Sequence, residues 1–229
     1  MMNYYINEIE HKIFHGINLK YYYHKLEELI IFKKILESGK IMSRNDLLDA
    51  KYDFFNYLPK IYEQCENETC FAIHPKNKLF KDIYNYEDFS CAFNQYIRFN
   101  ISFVFSENIL GSEYNLQWGI PGEIRIPHSL SIEKNLVAIG CFDEIEYLLE
   151  KIKCVKNKKI IFSDELLNCN DIYKYTLEKK KRTYAVKKIV DECGYNIPII
   201  EPFSGKIIDS NYEEDILKVK KLQNIFVNR

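Results

Sequence analysis

Polar residues at the expected ends of strands carry the chemistry in this chain. His24 closes the aromatic run Tyr21-Tyr22-Tyr23, and Glu123 opens the apolar run Glu123-Ile124-Arg125-Ile126-Pro127. Between them a helix closes on Ile35-Leu36-Glu37-Ser38-Gly39-Lys40-Ile41, and Ser102 stands in Ile101-Ser102-Phe103-Val104-Phe105. Polar groups so far apart in sequence suggest a nucleotide site assembled by the fold. Local motifs are poorer. His11 and His15 have the four-residue spacing of a helical metal pair but lack the intervening glutamate of a metalloprotease. Cys65, Cys70 and His74 lie close together without a fourth ligand at zinc spacing, so no metal site is expected. There is no phosphate-binding glycine loop, no dinucleotide fingerprint and no nucleophile elbow. Cys141 follows Gly140 with no histidine nearby in sequence, which is the setting of an ordinary thiol.

The elements that must position these residues read as follows. Residues 12–15 suit a short strand before Gly16. The next helix has two possible starts. Asn18 caps it in one reading; in the other, residues 21–23 form a strand and the helix begins near Leu26, and Gly39 ends it in both. Residues 46–64 and 86–97 read as helices, and strands are expected at 70–73, 101–105, 123–126 and 136–140. Residues 107–122, with Trp118, read as one long loop, a common place for function. Beyond Asp143 come a helix to Lys153, a strand at 159–162, helices near 170–178 and 183–193, and a short strand at 197–200. A turn at 202–205 and a terminal helix from Tyr212 complete the chain. These patterns divide it into residues 1–142 and a helix-rich extension, 143–229.

Composition sets the frame. The chain has 229 residues, 47% of them hydrophobic, enough for a sizeable core. Lys+Arg 32 against Asp+Glu 33 leaves a formal net charge of -1, which argues against a global nucleic-acid footprint. The run Lys179-Lys180-Lys181-Arg182 reads as a solvated helix junction. The 7 cysteines are scattered and form no Cys-x-x-Cys pair, as expected of reduced thiols in a cytosol. No apolar run is long enough for a membrane span, and no conventional signal peptide is evident. A toxin or effector delivered into another cell's cytosol would look the same.

In order and spacing, Tyr23-His24, Ile35 to Ile41, Ile101-Ser102-Phe103 and Glu123 to Pro127 resemble the ADP-ribosyltransferase fold of bacterial toxins and effectors, over roughly residues 10–142. The resemblance implies an α+β architecture, a split antiparallel β-sandwich with flanking helices. It also implies NAD as substrate, with cleavage of the nicotinamide–ribose bond. The transition state has oxocarbenium character, so a carboxylate facing the developing charge lowers the barrier. Glu123 would take that role, with Ser102 orienting it. A histidine would hold the adenosine ribose. Separation from Gly39 favours His24; if the helix begins near Leu19, His15 replaces it, and Gly16 would let the dinucleotide approach the backbone. The nicotinamide would stack on one of Tyr52, Phe54, Phe55, Tyr57 or Tyr62.

The chain also departs from the family. Arginine-modifying members carry Glu or Gln two residues before the catalytic glutamate, where this chain has Pro121. Arginine is therefore a poor acceptor. The Glu-led strand also looks like that of toxins of this family that modify DNA, so a nucleic-acid acceptor stays open, with protein ranked ahead of it. Gln117 and Trp118 lie where such enzymes recognise targets. The expected function is mono-ADP-ribosyl transfer in a cytosol, with no membrane partner. An NAD glycohydrolase and a non-catalytic protein-binding module on the same fold are the alternatives. By itself, a glutamate at a strand edge is ordinarily a solvated charge.

Overall fold

A computed structural model describes residues 5–17, 25–43, 68–78, 92–93, 97, 101–110, 115–117, 122–127, 129–133, 135–141, 169–208 and 217. The architecture is α+β with a mostly antiparallel sheet. The strands are β1 (Ile13–Gly16), β2 (Lys40–Ile41), β3 (Glu68–Ile73), β4 (Ser102–Phe105) and β5 (Asn115–Gln117). They continue with β6 (Glu123–Pro127), β7 (Leu130–Ser131), β8 (Leu136–Gly140) and β9 (Ile199–Ile200). Helix α1 spans Lys25–Ser38 and α2 spans Cys169–Glu192. Seven strands form one sheet in the order β5-β6-β3-β1-β4-β8-β9, and β2 pairs with β7 in a second. Among the described strands of the large sheet, only β8 and β9 run parallel.

The strands form where β-branched and aromatic residues cluster, since such side chains pack well on a pleated surface. Their alternation gives the sheet two different faces. One carries Phe71, Phe103, Phe105 and Ile139, and Phe32 of α1 packs there with its ring centroid 5.3 Å from that of Phe103. The other carries Phe14, Ala72, Val104 and Ala138, covered by Phe93, Ile97 and Ile9. Phe14 and Phe93 meet edge to face with centroids 4.9 Å apart.

Helix α1 is described from Lys25; residues 18–24, where the two expected starts differ, lie outside the described ones. It stops where φ becomes +65° at Gly39, a left-handed turn that costs glycine no Cβ clash. The Gly39 N–H donates to the Leu36 carbonyl at 3.2 Å, and Lys40 then enters β2. The expected loop over 107–122 instead contains a 3-10 turn, Glu107–Leu110, and β5, which pairs with β6. The polar connection after Pro127 contains β7. The two helices expected near 170–178 and 183–193 are one continuous helix. The elements expected at 46–64, 143–153 and 159–162, and most of those expected at 86–97 and in the terminal helix, lie outside the described residues.

The chain divides into two compact units. The first is Met1–Phe142 with Val190–Ile208, and the second is Asp143–Ile189 with Asp209–Arg229. The return of Val190–Ile208 supplies β9 to the first unit's sheet. In the second unit Thr183 and Val186 are buried and Tyr184 is exposed. Among the described residues no helix is long and apolar enough to cross a membrane.

His74 fastens the returning segment. Its Nε2–H donates to the Phe203 carbonyl at 3.0 Å, and its Nδ1 accepts from the Lys76 N–H at 3.1 Å. The ring is therefore neutral with both nitrogens satisfied. Burial depresses its pKa from 6.5 to about 4 against the raising effect of the Phe203 carbonyl. The unfolded chain thus binds this proton first. Stability is full above pH 6.5 and falls as pH drops towards 4. Between pH 6.5 and 5 the loss is roughly 2 kcal/mol. Urea unfolding at pH 7, 6 and 5 checks this, and His74→Asn should flatten part of the slope.

Candidate active site

His15 lies on the central strand, on the aromatic face. Its ring centroid is 5.4 Å from that of Phe71 and 6.4 Å from that of Phe103. Nδ1 is 2.8 Å from the Cys70 carbonyl oxygen, which can only accept, so Nδ1 carries the proton. Desolvation lowers its pKa from 6.5 to about 4, outweighing the opposing effect of that carbonyl. At neutral pH His15 is an uncharged imidazole with its acceptor lone pair on Nε2. His11 sits in the 3-10 turn Ile9–His11, so it and His15 do not share a helix face. Among the described residues no three His, Cys, Asp or Glu side chains gather as metal ligands would.

Gly16, the next residue, points to the opposite face. It stands across from Ser102, which in turn stands across from Gly140. Ser102 is fully buried, and among the described residues its Oγ has no hydrogen-bond partner. The hydroxyl leans over Gly140, where an added Cβ would collide with it, and Pro202 Cβ stands 3.4 Å from that same Cβ position. The glycine is there because the serine fills its side-chain space.

Glu123 opens β6, as expected, but it is not a solvated edge charge: its exposure is 1%. Burying a carboxylate is costly unless it is paired. Arg125, two residues on and therefore on the same face, supplies the pair by donating Nε–H to Oε1 at 2.6 Å. Arg125 Nη1 also lies 3.6 Å from Oε2 of Glu68 on the neighbouring β3. The register sets Gln117 opposite Glu123 and Asn115 opposite Arg125.

Ser102 and Glu123 share a face, but β1 and β3 stand between their strands. Three ladder spacings separate them, about 14 Å. Ser102 therefore does not reach the Glu123 carboxylate to orient it. His15 projects from the other face. His24 and the candidate stacking aromatics at 52–62 lie outside the described residues, as does Trp118. The reading of the sequence missed Glu68 and the role of Arg125. The two-residue spacing of Glu123 and Arg125 on a strand signals a shared face; nothing local signals that β3 brings Glu68 beside them.

Comparison with protein-family models, with curated proteins and with solved structures found no match.

Gly140→Ala should destabilise the protein by about 1–3 kcal/mol, the usual effect of overpacking. Ser102→Ala, which removes a buried orphan hydroxyl, should be neutral or stabilising. In the Ser102→Ala background the Gly140→Ala penalty should shrink, and thermal unfolding of the four proteins measures that coupling.

Proposed function

We propose that the first unit is an ADP-ribosyltransferase-like domain that cleaves the nicotinamide–ribose bond of NAD and passes ADP-ribose to a macromolecular acceptor. The observation that carries this reading is the state of His15. Its Nδ1–H is held by the Cys70 carbonyl and burial keeps the ring neutral, so Nε2 can accept a ribose hydroxyl. Gly16 beside it has no side chain to keep a dinucleotide from the backbone. His15 thus takes the part that sequence spacing favoured for His24.

Glu123 supplies the carboxylate that faces the developing oxocarbenium charge. His15 and Glu123 project from opposite faces of the sheet. The acceptor is a protein ahead of a nucleic acid, and the second unit is where we place its recognition. We place the protein in a cytosol, native or reached by delivery, where its scattered cysteines would stay reduced.

A specific observation favours the second reading, a non-catalytic binding module: Glu123 is 1% exposed and already paired with Arg125. Nicotinamide release from NAD separates the two. The wild type should release nicotinamide, and Glu123→Gln should lose about 100-fold or more, the scale of an electrostatic contact in the transition state. His15→Ala should raise KM for NAD. Added lysate or DNA should convert release into labelled acceptor; release with no labelling would indicate a glycohydrolase. Equal release by Glu123→Gln overturns the proposed mechanism, and no release by the wild type favours the binding module.

A further inference from the structure

We infer that Arg125 is the positioning residue for Glu123, tying its carboxylate to two strands at once; as a statement about catalysis this rests on the proposed role of Glu123. A guanidinium is planar and presents its N–H groups in fixed directions. Arg125 uses Nε on Oε1 of Glu123 at 2.6 Å, while its Nη1 faces Oε2 of Glu68 at 3.6 Å. The first contact lies within β6 and the second crosses to β3, so the plane of the guanidinium is set by the sheet. That plane in turn sets the direction from which Oε1 receives its hydrogen bond.

The three groups are also graded by exposure. Glu123 is driest at 1%, Arg125 is intermediate at 13% and Glu68 is the most exposed at 21%. The inner carboxylate is compensated at short range, and the outer one, on the longer contact, retains access to water. Glu68 acts as the outer tether and Glu123 as the held group. Lysine at 125 would keep the charge but lose the fork, so it separates charge compensation from orientation.

The test compares kcat and KM for NAD in wild type, Arg125→Lys and Glu68→Gln, alongside thermal unfolding of Arg125→Met, Glu123→Gln and their double variant. Positioning predicts that folded Arg125→Lys loses about tenfold or more in kcat while KM stays within about twofold, because misorientation acts on the transition state. Glu68→Gln should shift kcat in the same direction by less. Unchanged kcat in folded Arg125→Lys overturns the inference. Arg125→Met should lower the unfolding midpoint by leaving Glu123 buried without its cation, and adding Glu123→Gln should recover part of that loss. No recovery overturns the inference independently of activity. If the wild type cleaves no NAD, the proposed function fails, and the unfolding comparison alone decides whether Arg125 holds Glu123.

Discussion

Strand β1 is hydrogen-bonded to a neighbour on each side, β3 and β4, and its four residues divide the chemistry of the first unit. Ile13 and His15 face one way; Phe14 and Gly16 face the other. A strand cannot send consecutive side chains to the same face, so the position of His15 follows from the need to bury Phe14 against Phe93. A slip of one residue would put the imidazole into the apolar core and Phe14 among the aromatics opposite. The Cys70 carbonyl that holds His15 Nδ1–H comes from β3, so this pairing also fixes the histidine's tautomer.

The same alternation explains why two ionisable groups in one sheet are stabilised so differently. His15 is desolvated among phenylalanines and responds by remaining neutral. Glu123 is driven into the opposite face by its place between Ala72 and Gln117 in the register, and it meets a cation from its own strand. The neighbouring row on that face narrows to Gly16, Ser102 and Gly140. There the constraint is volume, and the serine hydroxyl is left without a partner.

Much of this organisation is legible locally. The runs at 13–16, 102–105, 123–127 and 136–140 have the residue types of strands, and Gly39 marks the end of α1 by its chemistry. What is not legible depends on pairing between distant segments. β5 is recognised by its pairing, because Asn115–Gln117 align with Glu123–Arg125 of β6 and nothing in their residue types marks them as a strand. β9 completes the sheet from the far end of α2, where no feature of Ile199–Ile200 says which strand it will join. The candidate site divides in the same way. Glu123 and Ser102 can be seen to lie on strands, but their separation depends on β1 and β3 lying between them, which is a property of strand order.

The Glu123–Arg125 pair is poorly explained by stability. Two charges taken from water are costly, and well-packed apolar residues of similar size would often serve the fold as well or better. Keeping the pair also creates a liability, because breaking a buried pair by removing one partner typically costs about 3–5 kcal/mol. What the pair provides that an apolar contact cannot is a carboxylate held in one orientation within a dry sheet face. The tether to Glu68 has the same character, spending a third charge to fix the direction of the second. Ser102, equally buried, has no such support and nothing to hold in place. Of the polar side chains on this face, the glutamate is therefore the one whose surroundings are built around its orientation.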